Sequence, residues 1–297
     1  MMTTNRALEK SFMQRYSIAL YCLLAFVLGA GIVYFVIWSG LPPDLVLASV
    51  FSASIAGIII TAVEDGRAGL KLMLSRLLIW RVGFGYWLFA LLFLVPAILL
   101  GALVNPLFNG DPLSFKDMQP AFNILPMFIT FVIVAGLGQE LGCTGSLVPR
   151  LQARTSALTA CIIRAIIVAI WHLPIFILSI LYPDALAGFQ YAGWIAQKGF
   201  LVAYIAATLM FMLPWSIFYS WIFNNTRGSL MLVCILHGSE IWVAYWMMSY
   251  RIDPGNLDNY WGYGALLVML AVMIFIITGP QNLSRKHERI VHEPALR

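Results

Sequence analysis

Charged residues are scarce in this sequence, and their scarcity excludes most soluble folds. They make up 10% of the 297 residues, whereas 61% of the residues are hydrophobic and the mean hydropathy is +0.87. An average soluble domain carries about 25% charged residues, so a chain of this composition is expected to lie in a lipid bilayer. Because the composition does not shift along the chain, we predict a single integral-membrane domain over residues 1–297.

Cysteine is also scarce, and its positions exclude two kinds of site. The four cysteines are scattered through apolar stretches without any paired spacing, at Cys22, Cys143, Cys161 and Cys234. This spacing indicates neither a disulfide framework nor a cysteine metal site. We expect these residues to pack as small hydrophobic side chains, and we expect no cofactor.

What the sequence does contain is a series of long apolar segments. A membrane-spanning helix needs about 20 predominantly apolar residues. Eight segments meet this requirement, at about 16–39, 45–63, 83–104, 121–141, 157–181, 199–222, 229–249 and 263–279. The sequence therefore predicts an all-α, multi-pass membrane helix bundle with about eight transmembrane helices.

Basic residues are unevenly divided between the two sides of this predicted bundle. With the N-terminus inside, the outer loops hold only Lys116, Lys198 and Arg251. The inner segments hold Arg6, Lys10, Arg15, Arg67, Lys71, Arg76, Arg81, Arg150, Arg154, Arg227, Arg285, Lys286, Arg289 and Arg297. The asymmetry predicts cytoplasmic N- and C-termini, in the plasma membrane if the protein is bacterial. Since the positive charge follows the topology, we expect no nucleic-acid partner.

The connection between the second and third spans is amphipathic. Within residues 64–81, Leu70, Leu74, Leu77 and Leu78 fall on one helical face, and the basic side chains lie largely away from it. Such a pattern is typical of a helix that lies in the plane of the membrane interface. We therefore predict one interfacial amphipathic helix on the inner side.

A few ionisable residues lie inside apolar segments and indicate a site, because charged groups cost roughly 2.5 to 3.5 kcal/mol in a helix at the bilayer centre. Glu140 and His172 lie sixteen residues on either side of Ser156. If the chain turns there, they would face each other at the same height in an antiparallel helix pair. His237 and Glu240 share a helix face at i, i+3. We predict that these ionisable side chains form one polar site.

Three further ionisable residues have simpler or open interpretations. Arg164 lies two turns before His172 in the same span. It could pair with Glu140, or it could extend to the cytoplasmic interface, as long basic side chains often do. His287 and His292 lie in the basic C-terminal segment, where we expect them to be solvated.

Three motif regions resemble those of the CAAX protease and bacteriocin-processing family. They lie at residues 138–151, 171–174 and 228–237, and the resemblance extends from about 122 to 242. It implies an eight-span intramembrane protease of the glutamate type, in which a carboxylate and a histidine activate water. A second histidine and an asparagine would hold the oxyanion. The family's substrates include prenylated CAAX proteins and bacteriocin precursors.

By this resemblance, the catalytic candidates are Glu140, His172 and His237, but the chain departs from the family pattern around them. The first glutamate, the arginine, the aromatic residue and the asparagine of the family are replaced here by Gln139, Thr144, Val168 and Ile241. An amide has no accessible basic site, so Gln139 could orient a water but not take its proton. Glu240 could orient His237 or serve as a displaced base.

Three functions from different classes are compatible with this sequence. The first is an intramembrane endopeptidase that acts on membrane-associated proteins or peptides and uses His172 with Glu140 or Glu240. The second is a catalytically inactive pseudoprotease that binds a membrane-associated partner or peptide. The third, weaker alternative is a zinc or iron site formed by Glu140, His172, His237 and Glu240. The expected partners are the lipid bilayer and a membrane-associated protein or peptide.

Overall fold

The structure is a computed structural model that describes residues 2–112, 114, 125–182, 190–249 and 256–292. The predicted outer-loop residues Lys116 and Arg251 lie outside these ranges, as do Arg297 and the first residues of the predicted fourth span. The described residues form helices, turns and loops without a strand. The predicted all-α fold class is therefore confirmed.

Helices follow one another along the whole described chain. The α-helices are α1 (Met2–Trp38), α2 (Phe51–Ser75), α3 (Phe84–Leu92), α4 (Leu94–Leu103), α5 (Leu125–Phe131), α6 (Gly138–Gly142), α7 (Val148–Gln152), α8 (Ala157–Leu181), α9 (Gln190–Lys198), α10 (Phe200–Ala206), α11 (Leu213–Asn225), α12 (Leu230–Ser249) and α13 (Trp261–Thr278). Short 3₁₀ turns lie at Pro43–Val50, Arg76–Leu78, Asn105–Phe108 and Leu257–Asn259. π-Helical segments lie at Val132–Leu137, Cys143–Leu147 and Ala207–Met212. The helical segments from α5 to α7 are therefore continuous, and so are those from α10 to α11.

Several of these helices are long and apolar enough to cross a membrane, so the protein is an integral membrane protein. Six segments qualify among the described residues: Arg15–Trp38, Leu45–Leu78, Leu125–Gln152, Ala157–Leu181, Phe200–Asn225 and Trp261–Thr278. Helices α3 and α4 would make a seventh span, bent by 44°, and Pro96 near the break removes a backbone donor. The apolar part of α12, Leu230–Ala244, is shorter. The predicted count of eight is thus not confirmed.

The predicted amphipathic helix is present as the last part of α2, after a sharp bend at Gly66. The backbone there has φ 64° and ψ −152°, a conformation that glycine adopts readily because it lacks a side chain. Beyond the bend, Leu70 and Leu77 pack partly buried against the main core, while Leu74 and Leu78 are exposed. The apolar stripe is therefore divided between the protein and its surroundings, and its position in the membrane interface stays a prediction.

Close packing against α2 fixes the position of α6. A Cβ added to Gly142 would lie 1.9 Å from the carbonyl oxygen of Ala53, and one added to Gly57 would lie 2.6 Å from the Cα of Gly142. Small residues allow membrane helices to approach this closely. The Ser54 hydroxyl donates to the carbonyl of Leu137 at 2.7 Å and accepts from the Gly142 amide at 3.2 Å. Ser54 thereby satisfies backbone groups beside the π-helical segments.

After α13 the chain returns across the ends of α7 and α11 and is held there by buried amides. Asn224 donates to the side-chain oxygen of Gln152 and to the carbonyl of Asn282, both at 2.8 Å. Gln152 in turn donates to the carbonyl of Ile290 at 3.2 Å. Asn224 and Gln152 are both fully buried, so each hydrogen bond replaces one that water can no longer make.

Candidate functional site

Glu140 is fully buried at the point where α6 meets α8 and α12. Arg164 donates from Nη2 to Oε1 at 2.9 Å and to Oε2 at 3.1 Å. Nδ1 of His237 donates to Oε1 at 2.9 Å, and the Thr144 hydroxyl donates to Oε2. An ionised carboxylate accepts about four hydrogen bonds, so these four contacts occupy it completely. Glu140 therefore anchors its neighbours and has no acceptor position left for a water.

Arg164 is the cation that balances Glu140. It is 3% exposed, so the structure favours the predicted pairing over extension to the membrane surface. Its Nη1 donates to the Ser216 hydroxyl at 2.9 Å, and its guanidinium lies 5.0 Å from the centre of the Tyr219 ring. A cation over an aromatic face is attracted by the ring quadrupole. Arg164 thus links α8 to α6 and α11.

His237 and Glu240 are joined through Tyr219. The Tyr219 ring stacks on the imidazole of His237, with centroids 5.2 Å apart and planes inclined by 24°. Its hydroxyl donates to Oε2 of the half-buried Glu240. Because Nδ1 of His237 donates to Glu140 and its ring stacks on Tyr219, the imidazole is held in one orientation. The predicted i, i+3 pair on α12 therefore belongs to the same network as Glu140.

His172 lies beside this network without a hydrogen bond to Glu140. Its Nδ1 donates to the carbonyl of Val168 at 2.8 Å, which leaves Nε2 as an acceptor on a half-buried ring. The hydrogen-bonding partner of Glu140 on α8 is Arg164, and the facing of Glu140 and His172 stays a prediction.

The remaining positions of the resemblance do not restore the missing chemical groups. Gln139 precedes Glu140 on α6 and is 9% exposed. Neighbouring residues on a helix point about 100° apart, so Glu140 does not occupy the direction taken by Gln139. Thr144 contacts Glu140 as a neutral donor, and Ile241 offers no donor at all.

The four residues of the metal alternative do not form a ligand group. Within the described part of the chain, no three of Glu140, His172, His237 and Glu240 bring their ligand atoms within 4.8 Å of one another. The oxygens of Glu140 already accept from an arginine, a histidine and a hydroxyl. The geometry therefore gives this alternative no support.

A second polar cluster lies away from this site, at the bend of α2. Arg150 forms ion pairs with Glu64 at 2.8 Å and Asp65 at 3.2 Å. His292 lies 2.8 Å from Asp65 through Nε2, and its backbone amide donates to the carbonyl of Pro149 at 3.0 Å. The expectation that His292 is solvated is therefore wrong, because the C-terminal segment folds back onto this acidic pair. His287 is exposed, as expected.

The sequence reasoning missed two members of the site, Ser216 and Tyr219. They lie at i, i+3 on α11, in the predicted sixth span, so they share a helix face. That spacing is a detectable pattern of polar groups in an apolar segment, but it becomes informative only when the facing residue, Arg164, is known. The chain has 12 tyrosines, and composition alone does not distinguish Tyr219 from the others.

A comparison with known protein families gives a match, and it covers this site. Residues 121–243 match the family model of the type II CAAX prenyl endopeptidase Rce1-like proteins. The matched region extends into α12 and contains every residue of the network around Glu140. No curated protein shows significant sequence similarity to the chain. The match confirms the family resemblance drawn from the sequence motifs.

Proposed function

We propose that this integral membrane protein, which is Rce1-like over residues 121–243, binds a membrane-associated peptide or protein segment without hydrolysing it. The observation that carries the proposal is the complete occupation of Glu140 by Arg164, His237 and Thr144. Hydrolysis by a glutamate-type site requires a carboxylate that takes a proton from water. Glu140 is engaged elsewhere, and Gln139 has no basic site to replace it.

The stabilisation of a transition state is weakened as well. A tetrahedral oxyanion needs preorganised donors, and removing one such donor typically costs 10²- to 10³-fold in rate. Ile241 stands where the resemblance implies an asparagine donor. Glu240, one residue earlier, is a carboxylate and would repel a negative oxygen when ionised. The activation of water and the stabilisation of the oxyanion therefore each lack a group that the family mechanism implies.

The groups that remain suit recognition of a peptide backbone. His172 and Glu240 are half-buried, so both keep part of their surface accessible. Nε2 of His172 is an acceptor, and the Glu240 carboxylate offers further acceptors for backbone amides. An extended peptide inside a bilayer must satisfy its amides within protein, because the hydrocarbon offers no partners. We place this recognition in the cytoplasmic half of the membrane, in keeping with the predicted topology.

Direct binding and cleavage measurements test the proposal. The purified protein in lipid nanodiscs is titrated with a fluorescent farnesylated CAAX peptide and a matched unprenylated peptide, and products are sought by mass spectrometry. We expect saturable binding without product above the protein-free blank. His172→Ala should weaken binding, whereas Ile170→Ala, on the same helix and 50% exposed, should not. Product formation that His172→Ala abolishes would overturn the proposal, and so would the absence of saturable binding of either peptide.

One observation favours a second candidate, an intramembrane endopeptidase with a displaced base. Glu240 is half-buried, contacts the Tyr219 hydroxyl and lies one turn from His237. In this candidate Glu240 and His172 would take the proton of water. Cleavage should then disappear in Glu240→Gln, change its pH dependence in Tyr219→Phe and persist in Gln139→Ala. The persistence of cleavage in Glu240→Gln would exclude this candidate.

A further inference from the structure

A cavity of about 280 Å³ lies away from the Glu140 network, where three separate segments meet. Arg81, in the loop before α3, and Tyr86, on α3, line one side of it. The turn between α11 and α12 contributes Arg227, and the C-terminal segment contributes Lys286 and His287. Its volume is close to the roughly 300 Å³ at which small-molecule sites begin. The cavity is therefore large enough for a small polar group but not for a whole lipid.

The charges around this cavity are of one sign. Arg81, Arg227 and Lys286 are permanent cations at neutral pH, and no acidic residue lines the cavity. In the described part of the chain, none of these three residues forms an ion pair. Like charges held together repel each other unless an anion lies between them. The site therefore favours an anionic ligand.

Hydrogen bonds hold the side chain of Arg227 and the main chain of Lys286 at the cavity. Arg227 adopts a left-handed conformation with φ 58°, which is disfavoured for a residue with a side chain, and it donates from Nη2 to the carbonyl of Arg81 at 3.1 Å. The Ser284 hydroxyl donates to the side-chain oxygen of Asn225 at 3.0 Å and accepts from the backbone amide of Lys286 at 3.3 Å. The C-terminal segment is thus fixed to the end of α11, which keeps Lys286 at the cavity.

The surroundings of the cavity identify the source of the anion. Trp80, whose ring lies 5.1 Å from the Arg81 guanidinium, is 55% exposed, and Phe84 at the start of α3 is 74% exposed. Leu88, one turn further along α3, is also exposed. Aromatic residues of this kind mark the membrane–water interface. A phosphate in the cavity could therefore carry acyl chains that lie along the exposed face of α3.

We propose that Arg81, Arg227 and Lys286 bind the phosphate of an anionic phospholipid, whose headgroup enters the cavity. Basic pockets at the cytoplasmic side of membrane helices are suited to such headgroups, and each nearby lysine or arginine strengthens binding by about fivefold. Arginine adds geometric selectivity because its guanidinium contacts two phosphate oxygens at once. This site is independent of the peptide-binding proposal, since it shares no residue with the Glu140 network.

Lipid retention in nanodiscs tests the site. The full chain is reconstituted in phosphatidylcholine with increasing phosphatidylglycerol, and bound lipid is counted by native mass spectrometry. The variant Arg81→Gln/Arg227→Gln/Lys286→Gln should bind phosphatidylglycerol about a hundredfold more weakly. The matched control Arg15→Gln/Arg67→Gln/Lys71→Gln removes three exposed basic residues that do not line the cavity. It should retain the lipid like the unmodified protein.

Each remaining outcome has a defined meaning. Equal retention by the two triple variants would overturn the proposal. Displacement of phosphatidylglycerol by millimolar inorganic phosphate would identify a soluble phosphate as the ligand. That result would overturn the lipid assignment. Displacement of phosphatidylglycerol by an acidic peptide that added phosphatidylglycerol does not displace in turn would also overturn the lipid assignment. If the triple variant does not fold, the unmodified protein must still prefer phosphatidylglycerol over phosphatidylcholine, with an affinity that falls as salt rises.

Discussion

Arg164 donates through one nitrogen, Nη2, to both carboxylate oxygens of Glu140, although the two residues lie 24 positions apart in the chain. The family resemblance implies an arginine four residues after the glutamate, in the same continuous helix, where this chain has Thr144. The charge of the buried carboxylate is therefore balanced from α8. This relationship explains how Glu140 remains ionised in the interior without the arginine of the motif.

Removing the cation should leave an uncompensated buried charge. We expect Arg164→Leu to destabilise the protein by about 3 to 5 kcal/mol, because breaking a buried ion pair strands its partner. Unfolding by heat or by SDS, followed by circular dichroism, measures the effect. The exposed Arg67→Leu should change stability by no more than about 0.5 kcal/mol. Equal stability of Arg164→Leu and the unmodified protein would contradict the pairing, and Glu140→Gln should partly rescue the leucine variant.

Restoring the missing catalytic groups should introduce cleavage. We expect Gln139→Glu/Ile241→Asn to hydrolyse a farnesylated CAAX peptide, since it supplies both a base and an oxyanion donor. Each single variant should remain inactive in the same mass-spectrometric assay. Adding Thr144→Arg should not help, because Thr144 is fully buried and Arg164 already neutralises Glu140. If only the triple variant were active, Arg164 would not replace the arginine of the motif.

The sequence predicted most of the helices and the convergence of Glu140 with His237, because both follow from hydrophobic length and from the cost of buried charge. It left open whether Arg164 pairs with Glu140 or extends to the membrane surface, and the structure shows the pairing. Nor did it predict the two π-helical segments that flank α6. These segments depend on tertiary partners such as Ser54, which hydrogen-bonds on both sides of Glu140. No local pattern at residues 132–147 shows that partner.

The contact between α2 and α6 should tolerate no added methyl group. We expect Gly142→Ala to destabilise the protein by about 1 to 3 kcal/mol, because its Cβ would lie 1.9 Å from the Ala53 carbonyl oxygen. The matched control is Gly31→Ala in α1, where the added Cβ meets nothing within 4 Å. The control should be neutral or stabilising by up to about 1 kcal/mol. Equal effects of the two substitutions in SDS unfolding would show that the close approach is absent.

The C-terminal segment should detach when its central amide is removed. Asn224→Ala leaves the side-chain oxygen of Gln152 and the carbonyl of Asn282 without their donor, at a cost of about 1 to 3 kcal/mol. Limited trypsin digestion should then cut at Arg285, Lys286 or Arg289 about tenfold faster, since cleavage follows local opening. Gln281→Ala is the control, because the backbone carbonyl of Gln281 accepts a hydrogen bond from the Ala157 amide and the substitution keeps that carbonyl. Unchanged digestion of Asn224→Ala would contradict the described attachment.

The sharp bend of α2 at Gly66 lies where three parts of the structure meet. Asp65, immediately before the bend, holds Arg150 and His292, so one short piece of chain joins a bilayer-crossing helix, a helix with exposed leucines and the C-terminal segment. These three parts of the chain are therefore tied to one another through a single carboxylate, and a displacement of any one of them would strain its contacts to the other two.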